Sequence, residues 1–178
     1  MKHICVYCGS RIPNSPELVD LASNLGKEIA QEGWTLVYGG GKVGTMGIIA
    51  DAALDKGGEV IGVIPTHLKK AEVAHEGLTK LYETQDMHTR KALLENLSDV
   101  FVIIPGGFGT LDEFFEILTW KQLGIHSKPI ILVNKSGYFN GLTQFFERSI
   151  DENYVRESSM GLFSVVESLE ECLEILKG

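Results

Sequence analysis

Two residues of opposite charge, Arg90 and Glu113, each lie beside a signal for a helix start. Backbone amides there carry partial positive charge, so an anion is welcome and a cation is out of place. Glu113 closes the run Pro105-Gly106-Gly107-Phe108-Gly109-Thr110-Leu111-Asp112-Glu113, which follows the apolar, β-branched stretch 100–104. A buried strand, a glycine turn and a helix start in succession make an anion site, because the first amides of a helix have no partner within it. Glycine lets an anion come close to the backbone, since no Cβ intervenes. A carboxylate beside such a site repels the anion, so Asp112 or Glu113, if it faces the ligand, meets hydroxyls or a developing cation instead.

Two readings of Glu113 follow from the spacing. Thr110 and Glu113 fit a capping box, in which the glutamate turns back onto the amide of its own N-cap. Alternatively, the glycines leave the helix start open to a ligand and Glu113 faces a cleft. Arg90 lies in Met87-His88-Thr89-Arg90-Lys91, two cations at a helix start, and Arg90 falls near the apolar stripe Met87, Leu94, Leu97. An anionic ligand or a buried carboxylate explains that placement better than a solvated charged face.

The elements that must position these residues alternate along the chain. Strands are expected at 4–7, 34–37, 60–64, 80–83, 100–104, 129–133 and 163–166. Helices are expected after Ser15, with Pro16 at the first helical position, and then from about 45, 87–97, 110–124, 138–150 and from 169. The helix at 110–124 carries the stripe Leu111, Phe114, Phe115, Leu118 and Gln122; the segment 65–77 reads as a loop with a short helix. Alternation of this kind builds βαβ units. The expected fold is α/β, a Rossmann-like doubly wound parallel sheet with helices on both faces, in a single nucleotide-binding domain over residues 1–178.

The composition narrows the function. Of 178 residues, 44% are hydrophobic and 22% charged, as in an ordinary globular protein, and 16 basic against 24 acidic residues give a net charge of −8. An acidic balance argues against a general nucleic-acid or membrane-surface binder but leaves room for one phosphate. With no signal peptide at the start and no membrane-spanning run, a cytoplasmic protein is expected. Cys5 and Cys8 form a C-x-x-C, yet residues three apart on a strand point to opposite faces, so they are expected to be buried and unpaired. The five histidines are scattered without zinc-type spacing, and no metal is expected.

A second glycine turn, Gly39-Gly40-Gly41-Lys42-Val43-Gly44, satisfies G-x-G-x-x-G between a strand and a helix. A dinucleotide fingerprint also needs an acid at the end of the next strand, where this chain has Gly62-Val63-Ile64-Pro65. A Walker A loop needs Ser or Thr where Val43 stands. The turn is therefore either a tight structural connection or a ligand loop of another kind.

The run 105–113, preceded at the family spacing by Met87-His88-Thr89-Arg90-Lys91, resembles the Lonely Guy family of nucleotide hydrolases. The loop 39–47 and Cys8-Gly9-Ser10-Arg11 are similar to it as well, so the resemblance spans nearly the whole chain. It implies a cytokinin riboside 5′-monophosphate phosphoribohydrolase, which cleaves the N-glycosidic bond of a nucleoside monophosphate without a cofactor. By position, the resemblance implies catalytic roles for Arg90 and Glu113. It implies substrate binding by Glu72, Arg90, Lys91, Gly107, Phe108, Gly109, Thr110, Leu111, Asp112, Glu113 and Thr119. It also implies a homodimer with its site near the subunit contact. Asp112 stands where many members have Glu. Members have often been labelled lysine decarboxylases, but nothing here forms a recognisable pyridoxal-phosphate lysine site. Two alternatives remain on the same fold: a non-catalytic nucleotide or cofactor carrier, and an NAD-dependent redox enzyme using residues 39–44.

Overall fold

Most of the strands are short, apolar and buried, and most hand the chain to a helix, so a parallel sheet forms with both faces covered. In the computed structural model, which describes residues 1–69 and 73–178, the order of elements is β1 His3–Tyr7, α1 Pro16–Gln31, β2 Thr35–Tyr38, α2 Gly44–Leu54, β3 Glu59–Pro65, β4 Lys80–Thr84 and α3 Met87–Leu97. There follow β5 Val100–Ile103, α4 Phe108–Gln122, β6 Ile130–Val133, α5 Asn140–Asp151, β7 Ser164–Val166 and α6 Leu169–Lys177. Short 3-10 turns at Lys135–Gly137 and Glu157–Leu162 flank α5.

The seven strands are ordered β4-β3-β2-β1-β5-β6-β7 and all pair in parallel. Ile4 of β1 stands beside Leu36 on one side and Val100 on the other. The winding direction reverses between β1 and β5. In an open sheet of this type the connections diverge at that point and leave a crevice beyond the carboxyl ends of the strands.

The pleat sorts the core into two layers. Ile4, Val6 and Cys8 face a cluster that includes Leu25 and Ile29 of α1, Ile49 and Ala53 of α2, and Cys172 and Leu176 of α6. Cys5 and Tyr7 face the other cluster, with Leu94 of α3, Phe114 and Ile117 of α4, and Phe146 of α5. Cys5 and Cys8 therefore lie on opposite faces of the sheet, both free and buried. Burial raises the Cys5 thiol to about 12, so it stays protonated. No described helix is long and apolar enough to cross a membrane.

Candidate active site

The crevice between β1 and β5 holds a cavity of about 140 Å³, lined by Gly9 and Ser10 after β1, Gly39 after β2, Met46 of α2, Arg90 of α3 and the first two turns of α4. Its walls are built from three strand ends.

The α4 wall differs from the sequence expectation. Helix α4 begins at Phe108, with Gly107 as N-cap, so Thr110 is the third helical residue rather than the cap. No side chain caps this helix, and Leu111 is the first residue whose amide reaches a carbonyl, that of Gly107 at 3.1 Å. The capping-box reading of Glu113 is thus overturned: three residues further into the helix than that reading puts it, its side chain lies on the buried face. The buried face of α4 is Thr110, Glu113, Phe114 and Ile117, whereas Phe115 from the expected stripe is exposed. The amides of Phe108, Gly109 and Thr110 are the ones that helix geometry leaves without an intrahelical partner. The Thr110 hydroxyl is buried and has no hydrogen-bond partner among the described residues. The Tyr138 hydroxyl donates to the Gly106 carbonyl at 2.6 Å, tying the turn to the loop that precedes α5.

Glu113 meets Arg90. The Arg90 Nη1 lies 3.1 Å from Glu113 Oε1, and both side chains are more than nine-tenths buried. The Arg90 Nε donates to the Val63 carbonyl of β3 at 3.1 Å, which fixes the plane of the guanidinium. Helix α3 tolerates this cation in its first turn because its own start is capped differently: the Asp86 carboxylate accepts the Thr89 amide at 2.7 Å. That bond from the Thr89 backbone holds the Asp86 carboxyl below its usual value.

Lys91, next to Arg90, does not line the cavity. It pairs with Glu116 at 2.5 Å and Asp112 at 3.1 Å on the outer flank of α4. Burial works against its charge, but the two carboxylates outweigh it and raise its pKa. Asp112 is half-exposed, and Leu111 packs against the lower core. Thr119 lies further along α4, in a separate apolar groove with Phe115, Leu118, Phe145 and Phe146. Glu72 lies outside the described residues. The cavity thus brings together Arg90, Glu113, Gly107, Phe108, Gly109 and Thr110. It adds Gly9, Ser10, Gly39 and Met46, which the sequence reading did not assign to the site. Their signal was their place in the segments after β1 and β2, residues 8–11 and 39–47, which also carry the family resemblance.

The second glycine turn is engaged elsewhere. The Thr45 and Met46 amides at the start of α2 donate to the carbonyls of Arg11 and Gly9, at 3.3 and 3.2 Å, and the Thr45 hydroxyl donates to Arg11 as well. The start of α2 therefore binds the neighbouring loop, which removes the basis for a dinucleotide site at 39–44.

The chain is similar to known proteins over nearly its whole length. Residues 46–176 match the family model described as possible lysine decarboxylase. The chain is 41% identical to the cytokinin riboside 5′-monophosphate phosphoribohydrolase of Rhodococcoides fascians, over 99% of this chain and 89% of that protein. It is 40% identical to the enzyme of the same name, LOG1, from Arabidopsis thaliana, over 99% and 83%. Among solved structures, the Moco carrier protein of Chlamydomonas reinhardtii shares the fold with a TM-score of 0.74 at 24% identity, over 99% of this chain and 95% of that one.

Proposed function

From the premise that the chain belongs to the Lonely Guy family, which the possible lysine decarboxylase model describes, we propose that Arg90 and Glu113 form its catalytic centre. The protein is a hydrolase of N-glycosyl bonds. It cleaves a nucleoside 5′-monophosphate to free base and ribose 5-phosphate, the activity for which its relatives are named. The observation that supports the assignment is the buried Glu113 carboxylate, held by Arg90 in a cavity whose rim is the uncapped start of α4.

The chemistry follows from where charge develops. Breaking a glycosidic bond passes through an oxocarbenium-like sugar. The amides of Phe108, Gly109 and Thr110 hold the 5′-phosphate, with the Thr110 hydroxyl beside them. This anchors the ribose over Glu113, whose carboxylate hydrogen-bonds the sugar hydroxyls and stabilises the positive charge growing on the ring. A preorganised charge in a dry site is worth far more than one in water. Arg90 holds Glu113 in place, and its bond to Val63 keeps the pair from swinging away. Lys91 and Asp112 pair with each other outside the cavity. A homodimer belongs to the same reading, and a dimer mass in sedimentation tests it.

Incubation with AMP and with an isoprenylated adenosine monophosphate, followed by chromatography, tests the reading. Free base is released by the native chain, and Glu113→Gln lowers kcat by about a hundredfold or more while the variant stays folded. Full activity in Glu113→Gln overturns the role of this carboxylate. Binding of AMP without release of base identifies a carrier instead.

A further inference from the structure

A 5′-phosphate carries more negative charge than three amides neutralise, and the cations near the cavity are otherwise engaged. Arg90 is balanced by Glu113, and Lys91 is balanced by Glu116 and Asp112 outside the cavity. The catalytic cavity is also small for a nucleotide: about 140 Å³, where ligand pockets usually begin near ~300 Å³. A second lobe of about 260 Å³ adjoins it, sharing Gly9, Ser10 and Gly107, and lined further by Arg11, Thr45, Gly106 and Tyr138. Gly107, the N-cap of α4, thus stands on the border between the two lobes.

Arg11 is the cation of that second lobe. Its side chain is exposed and forms no ion pair with the described residues, whereas its backbone is held firmly. The Arg11 carbonyl accepts both the Thr45 amide and the Thr45 hydroxyl, and Gly44 packs so closely on the Ser10–Arg11 peptide that a Cβ at position 44 would strike it. The start of α2 therefore fixes the backbone from which the Arg11 side chain lines the lobe. Arginine suits such a task because its planar fork binds two phosphate oxygens at once.

We propose that Arg11 is a substrate-binding residue that closes over the 5′-phosphate from the side opposite the α4 amides. The proposal rests on the nucleotide reading given above. Calorimetry with ribose 5-phosphate and with adenosine tests it, because the first carries the phosphate and the second does not. For Arg11→Ala, affinity for ribose 5-phosphate falls about tenfold, affinity for adenosine is unchanged, and Arg11→Lys recovers part of the loss. In turnover, Arg11→Ala raises KM for AMP by a similar factor and leaves kcat near the native value. An unchanged affinity for ribose 5-phosphate overturns the proposal, and so does an equal loss for both ligands. Since calorimetry does not depend on turnover, failure of the native chain to release base counts against the hydrolase reading alone.

Discussion

Two glycine turns flank β1, one after β2 and one after β5, and both lead into a helix without a side-chain cap. At the first, the opening amides of α2 meet the carbonyls of Gly9 and Arg11. At the second, the opening amides of α4 face a cavity, with a buried and unpartnered hydroxyl beside them. Composition does not separate them; what they touch does. A helix start becomes a ligand site only where the fold withholds a protein partner from it, and here the same fold supplies one turn with a neighbour and denies it to the other.

The largest effect that tests this contrast is on stability at the first turn. Gly44 has a φ of +67°, and a Cβ there would collide with the backbone of the β1–α1 loop, which cannot move aside as a side chain could. Strain and collision together put the cost of Gly44→Ala at about 3 kcal/mol or more. Urea unfolding measures it, and near-native stability would show that the contact between turn and loop is dispensable.

The second turn reverses the outcome. A Cβ at Gly109 meets no atom within 4 Å, and Gly109 is the second residue of α4. Gly109→Ala leaves stability unchanged or raises it by up to about 1 kcal/mol, because alanine suits a helix better. The new methyl occupies the space where the phosphate approaches the amides, so KM for AMP rises about tenfold, the loss expected for charge-assisted bonds held at a distance. Unaltered KM would move the phosphate away from α4. Together the two substitutions give a stability defect at one turn and a binding defect at the other.

Much of this was legible in the sequence, for reasons particular to each segment. Helix α3 runs from residue 87 to 97 as expected, since Asp86 is a strong cap and the apolar spacing is regular. The displaced charge of Arg90 pointed to a carboxylate or anionic partner, and a carboxylate lies 3.1 Å away. The start of α4 was misjudged because Thr-x-x-Glu imitates a capping box, and Gly-Phe-Gly is a poor helix opening by propensity. The fold places Gly107 at the cap regardless, and the three-residue shift turns Glu113 inward. The engagement of the α2 start could not be read from its own residues, because the carbonyls that bind it come from a loop more than thirty positions earlier. Thr119 falls within the α4 motif in sequence, yet its position along the helix takes it to a different groove.

Helix α3 shows a third way to treat a helix start, and it bounds the contrast from below. Its amides are met neither by a neighbouring loop nor by a cavity but by its own Asp86, which accepts the Thr89 amide. This bond holds the Asp86 carboxyl below its usual 3.8. A carboxyl whose pKa is lowered on folding stabilises the protein above the unfolded value, and that contribution is lost as the pH falls through the folded one. At neutral pH, Asp86→Ala therefore melts slightly below the native chain, by the modest amount expected for an exposed cap. The gap narrows as the pH drops below about 4. Thermal melts of both chains across that range check the sign, and a gap that widened on acidification would show that Asp86 is not acting as an ionised cap. The effect is small because water can replace this cap at the surface. At the start of α4, by contrast, no side chain caps the helix and its first residues line the cavity, so the same kind of helix end is left to a ligand.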